Sequence, residues 1–143
     1  MGDYFIDLSE ENLDEAKEPK ALAGEYTVAI TDWKTDDDGK IRCETAEGKG
    51  YLMPKLEVVD CPEAEYSKGM SHFMWLPEDW MDAKKLNGAK FTLKEFFTAF
   101  GIDTSQQIDP EETIGSRAEA ILVVTDDPEY GEQSRIKRFV VSH

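Results

Sequence analysis

The chain has 143 residues, 40% of them apolar, with 31 acids against 16 bases for a net charge of −15. That length suits one domain with a buried core and is too short for two of ordinary size. No run reaches the roughly 18–20 apolar residues of a membrane span. A body this acidic repels phosphate, which excludes binding of duplex DNA over its whole surface; a nucleic-acid site would have to be a local basic groove.

Residues 1–20 read as an acidic arm, with seven acids against Lys17 and Lys20, carrying −5 of the total. Its start, Met1-Gly2-Asp3-Tyr4-Phe5-Ile6-Asp7, lacks the basic n-region of a secretory signal. Tyr4, Phe5, Ile6 and Leu8 are its candidates for docking on the body, and the remainder is expected to be solvated. The domain proper is expected over 21–143. Residues 25–33 alternate and are rich in strand formers; Tyr26, Val28 and Ile30 share one face, and Thr27, Ala29, Thr31 and Trp33 the other. Asp36-Asp37-Asp38-Gly39 then makes a turn. A second strand is expected over 51–59, with Leu52, Leu56 and Val58 opposite Tyr51, Met53, Lys55 and Glu57. Pro54 removes a backbone donor there, a mark of an edge or bulge. Residues 61–67 read as a loop and 69–76 as a third strand, apolar on both faces.

The period then changes. Pro77 is placed at the first position of a helix. Leu93, Phe96, Phe97 and Phe100 recur at helical spacing, with Gly101 where a C-terminal cap belongs. After a polar loop, a fourth strand is expected over 118–125 with Ala120, Leu122 and Val124 on one face. A turn over 126–131 leads to a fifth strand over 134–141. This order predicts a mostly β fold with one or two helices: an OB-like five-stranded Greek-key barrel, with the helix between strands 3 and 4. In that architecture the strand 2–3 face and flanking loops bind oligonucleotides.

Motifs of catalysis do not occur. The sequence has no nucleophile elbow, phosphate loop or dinucleotide fingerprint, so an enzyme is not expected, nor a cofactor. Asp36–Gly39 does not fit a calcium loop, because aligning Gly39 to the loop's glycine puts Lys34 and Thr45 at ligand positions. Cys43, Cys61, His72 and His143 match no zinc spacing, so no metal is expected either. The two cysteines read as reduced thiols, which points to the cytoplasm.

Rings and bases on the predicted strands carry more information. Trp33, Tyr51, Phe73 and Trp75 fall on the first three strands, and nucleobases stack on such rings without needing a particular sequence. Each ring has a competing use in the barrel core, and alternation leaves open which face of the third strand, the one with Phe73 and Trp75 or the other, points inward. Trp33 and Tyr51 are placed opposite the apolar face and are the better ligand candidates. Arg135, Lys137 and Arg138 lie within four positions, followed by Phe139, and no acid follows Glu132. Lys55 shares the predicted face of Tyr51. A basic cluster beside rings is what a groove for a single strand requires; charges that protect an edge strand are the competing use.

Several short runs resemble a family of small bacteriophage proteins. They are Phe5-Ile6-Asp7-Leu8, Leu22-Ala23-Gly24-Glu25-Tyr26-Thr27-Val28-Ala29-Ile30, Leu56-Glu57-Val58-Val59-Asp60, Phe96-Phe97-Thr98-Ala99-Phe100-Gly101-Ile102, Ile114-Gly115-Ser116-Arg117-Ala118-Glu119-Ala120 and Ile136-Lys137-Arg138-Phe139. The resemblance implies a single-stranded DNA-binding protein of the OB type. It would act in phage replication or recombination in the host cytoplasm, alongside phage or host replication and recombination proteins. It carries Lys137, Arg138 and Phe139 into the DNA site. Such proteins end in an acidic tail that recruits partners, whereas here the acidic segment is the N-terminal arm. The charge of −15 motivates a different expectation, an acidic phage protein that mimics DNA or inhibits a host enzyme; a virion or assembly component is a third.

Overall fold

Among the described residues, eight strands, two α-helices and a 3-10 helix over Leu13–Glu15 follow from the sequence, in a computed structural model that describes residues 6–15, 21–61 and 69–141. Tyr4, Phe5, the tail of the arm over 16–20, most of the 61–67 loop and His143 lie outside the described residues. The strands are β1 (Gly24–Trp33), β2 (Cys43–Glu44), β3 (Gly50–Leu52), β4 (Pro54–Val58), β5 (Met70–Ser71), β6 (Met74–Trp75), β7 (Arg117–Asp127) and β8 (Gly131–Val140). The helices are α1 (Ala83–Ala99) and α2 (Pro110–Thr113).

Five strands form an antiparallel sheet in the order β5-β4-β1-β7-β8, and β2-β3-β6 form a second, three-stranded sheet. β5 comes up beside β8, so the larger sheet is nearly closed and barrel-like. Alternation fills its interior: Val28 and Ile30 from β1, Leu56 and Val58 from β4, Ala120 and Leu122 from β7, and Phe139 from β8 are all buried. Phe96 of α1, fully buried, plugs the barrel, within 4.7–6.0 Å of the rings of Phe100, Phe97, Phe139 and Trp33. Burying such side chains stabilises the fold by about 1.5–3 kcal/mol each.

Three departures from the expected elements have local causes. The register of β1 against β4 slips between Ile30 and Asp32. One extra residue reverses the alternation beyond it. Trp33 is therefore carried into the core, 4% exposed, where its Nε1 donates to Thr113 Oγ1 at 2.8 Å. The second and third strands each break in two. β4 begins at Pro54, the position where a missing N–H costs a ladder least. The chain before it, β3, pairs instead with β2 and with β6. Finally, α1 starts at Ala83 and not at Pro77. Asp82 is its N-cap, accepting from the Lys85 N–H at 2.8 Å. Residues 78–81 form a turn, closed by the Met81 N–H on the Glu78 carbonyl at 3.1 Å, whose Glu78 side chain is used elsewhere. In the arm, Ile6 and Leu8, expected as candidates for docking on the body, are both exposed.

The end of α1 agrees with the sequence. The Ile102 N–H donates to the Phe97 carbonyl at 2.8 Å and the Gly101 N–H to that of Thr98 at 3.1 Å. Gly101 sits at φ +71. This paired closure needs a left-handed residue. Gly101→Ala should therefore cost about 1 kcal/mol, read as a lower urea midpoint at unchanged slope.

Candidate nucleic-acid interface

The small sheet has two unlike faces. Directly opposed residues of neighbouring strands share a face. Leu52 opposes Met74, and both are buried in the core. On the other face Cys43 opposes Tyr51, which opposes Trp75. Phe73, between β5 and β6, lays its ring on Tyr51 with centroids 4.7 Å apart and planes 27° apart. Phe73 meets Trp75 edge-on at 4.7 Å, and Trp75 meets Trp80 edge-on at 5.4 Å. Four rings thus run together across the sheet. Tyr51 is covered, but Phe73 is 39% and Trp80 38% exposed.

Cations border the rings. Lys34 Nζ donates to the Tyr51 hydroxyl at 2.8 Å, a contact that raises the lysine's pKa. Lys49 Nζ lies 4.3 Å from the centre of the Trp80 ring, within cation–π range. Lys85 of α1 lines the cleft that separates the rings from the helix. Among the described residues the ion pairs are those of Arg42 with Glu44 and Glu78, and of Lys49 with Glu47 at 3.3 Å. Lys34 and Lys85 have no such carboxylate partner there.

Glu78 organises this corner. One carboxylate oxygen accepts from the Gly50 N–H at 2.7 Å and from the Trp80 indole N–H at 3.2 Å; the other accepts from Arg42 at 2.6 Å. The Gly50 N–H, followed by Trp80 and Arg42, holds the Glu78 pKa below the usual carboxylate range. A Cβ on Gly50 would stand 2.8 Å from the Arg42 guanidinium, so glycine admits the close approach.

Of the residues singled out in the sequence, Tyr51, Phe73 and Trp75 come together here. Trp33 does not, for the reason given above. Phe139 is also in the core, 5% exposed, against Phe96, Phe100 and His72. Arg135, Lys137 and Arg138 are all exposed along β8. A register slip opposite Ile121/Leu122 turns Lys137 and Arg138 both outward while Ile136 and Phe139 stay inward. Arg135 stands near enough to His72, the neighbour of Phe73, for its charge to lower that histidine's pKa. Arg138 instead lines a groove with Phe91 and Lys94 on the far part of α1. Lys55 is exposed on β4, paired with Ser71 and Asp32.

No family model and no curated protein matches this chain. The site is therefore read from its own residues. Trp80, Lys34, Lys49 and Glu78 were missed in the sequence. Reading Pro77–Trp80 as helix hid the last ring and its carboxylate, and the lysines stand in turns without a periodic signal. Among the described residues no helix is long and apolar enough to cross a membrane, and no three His, Cys, Asp or Glu side chains are grouped to hold a metal ion.

Proposed function

We propose that the protein binds single-stranded DNA with little sequence preference, through the ring cluster of the small sheet. The observation that carries this reading is the run of four rings bordered by Lys34, Lys49 and Lys85 on a body of charge −15. Bases stack on exposed rings at about 1–3 kcal/mol each, and ammonium groups beside them take the phosphates.

The barrel supports the same reading. Taking β3–β4 and β5–β6 as two bent strands, the neighbours run second–first–fourth–fifth, with the third beside the second and approaching the fifth. We read this order as OB-like, with α1 between the third and fourth strands. The rings lie on the outer half of the strand 2–3 hairpin, the part of an OB barrel that meets oligonucleotides. The loop between the first and second strands adds Lys49, beside the Trp80 ring, while its Arg42 is paired with Glu44 and Glu78. The hairpin between the last two strands is unsuited to DNA, because Asp126, Asp127, Glu129 and Glu132 crowd it. This distribution of acids supports a path for the DNA along the ring side. A role in bacteriophage replication or recombination follows from the family resemblance.

Tryptophan fluorescence tests the reading. Oligo-dT at low salt should quench Trp75 and Trp80, and log K should fall with log salt at a slope of about −2 to −3, for three to four phosphate contacts. An unchanged spectrum at micromolar protein would refute it. The acidic surface favours the rival, a DNA mimic; retention of a basic host protein that DNA competes away, with no quenching by oligo-dT, is the result that rival requires.

A further inference from the structure

We propose that the cleft between the ring cluster and α1 receives one base of the bound strand, with Lys49 and Lys85 holding the adjoining phosphates. This rests on the single-strand reading above and adds a wall to it, the helix, that the barrel's own binding face does not include.

The cleft measures about 500 Å³, within the usual range for small-molecule sites of roughly 300–1,000 Å³. Phe73, Trp75 and Trp80 form one side, and Lys85, Gly88 and Thr92 the other. Spacings of three and four place the last three in one line along the helix. Gly88 is the informative residue. A glycine inside a helix costs about 1 kcal/mol relative to alanine. An added Cβ there would meet nothing within 4 Å, and its φ is not in the left-handed region. Neither packing nor backbone conformation requires it. Its effect is to leave the helix wall flat opposite the rings. The rings opposite stand nearly at right angles to one another, 87° between Phe73 and Trp75 and 76° between Trp75 and Trp80, so an aromatic occupant can meet either a ring face or a ring edge there. Two ammonium groups in the lining, Lys49 and Lys85, ask for negative charge beside it. Lys85 has no carboxylate partner among the described residues, and the Lys49–Glu47 pair is exposed and therefore weak. A nucleobase with its flanking phosphates meets both demands.

The test is oligo-dT titration of the whole chain at low salt, with three variants. Gly88→Phe fills the cleft. Lys85→Glu reverses charge at its mouth. Lys94→Glu makes the same charge change on the same helix outside the cleft. We expect Gly88→Phe and Lys85→Glu each to raise Kd about tenfold or more, and Lys94→Glu by less than about threefold. If Lys85→Glu and Lys94→Glu are equal while Gly88→Phe binds like the unaltered chain, the cleft holds no base, yet the single-strand reading stands. If the unaltered chain gives no quenching, both fall together. Should Gly88→Phe not fold, the ratio of the two lysine variants decides. Gly88→Ala should raise the melting temperature; a fall would show that packing needs the glycine and would remove the premise.

Discussion

Replacing Phe73 and Trp75 together by alanine is expected to weaken oligo-dT binding by about a hundredfold while leaving a folded protein. Each ring removed forfeits about 1–3 kcal/mol of base stacking, and tenfold in Kd corresponds to about 1.4 kcal/mol. The loss should not come from collapse of the sheet, because the core side of β3 and β6 is carried by Leu52 and Met74, which the variant retains. Phe73 is more than a third exposed, so its truncation opens little new cavity. Near-ultraviolet dichroism and urea unfolding would check the fold, and an anisotropy titration with labelled oligo-dT the affinity. Single variants are needed beside the double one. Phe73 stacks on Tyr51 and touches Trp75, so their effects should not add. A double variant that binds like the unaltered chain would place the DNA elsewhere, Lys137 and Arg138 on β8 being the next candidates.

The barrel was legible in the sequence where one physical rule governed a segment. Residues 54–58 alternate between buried and exposed as their pattern predicts. Phe96, Phe97 and Phe100 turn inward at helical spacing, and Gly101 closes their helix in the left-handed conformation that glycine favours. Legibility failed where two rules competed. Alternation assigned Trp33 to the outer face, but a bulge is one residue of extra chain and leaves no trace in hydrophobicity. Phe139 follows three basic residues, and only the register slip against β7 shows that the chain there presents two successive side chains outward before turning Phe139 inward. Pro77 is as acceptable in a turn as at a helix start. The structure chose the turn because Asp82 supplies the cap while Glu78 bonds Gly50, Trp80 and Arg42.

The site was less legible than the barrel because it is assembled across sequence distance. Gly50 and Glu78 are 28 residues apart, and Arg42 and Glu78 are 36 apart. Nothing local in the sequence pairs them. The result is a carboxylate buttress behind the rings, with Arg42 shared between Glu78 and Glu44; Lys34 bonds the Tyr51 hydroxyl, and neither it nor Lys85 has a carboxylate partner among the described residues.

Acidification should destabilise the fold through His72 by roughly 3 kcal/mol in total. The imidazole lies against Phe96, at 6.1 Å and 15° between planes, and meets Phe139 edge-on at 5.4 Å. Burial first, and the charge of Arg135 second, push its pKa down to about 4 from 6.5. A histidine held neutral in the native state takes up its proton more readily when unfolded. Above pH 6.5 both states are neutral and stability is insensitive to this group. Between 6.5 and about 4 the unfolded state gains the proton first, so stability falls by up to about 1.4 kcal/mol per pH unit; below 4 both states are protonated and the decline ends. Urea unfolding from pH 7.5 to 4.5 should show this slope, and His72→Gln should remove it over the upper part of that window, where carboxylates stay ionised in both states. Arg135→Ala should shift the decline to lower pH-sensitivity, since removing its charge lets the folded-state pKa rise toward 6.5 and narrows the gap. Parallel curves for the unaltered chain and His72→Gln would mean that the imidazole is solvated and does not close the barrel between β5 and β8.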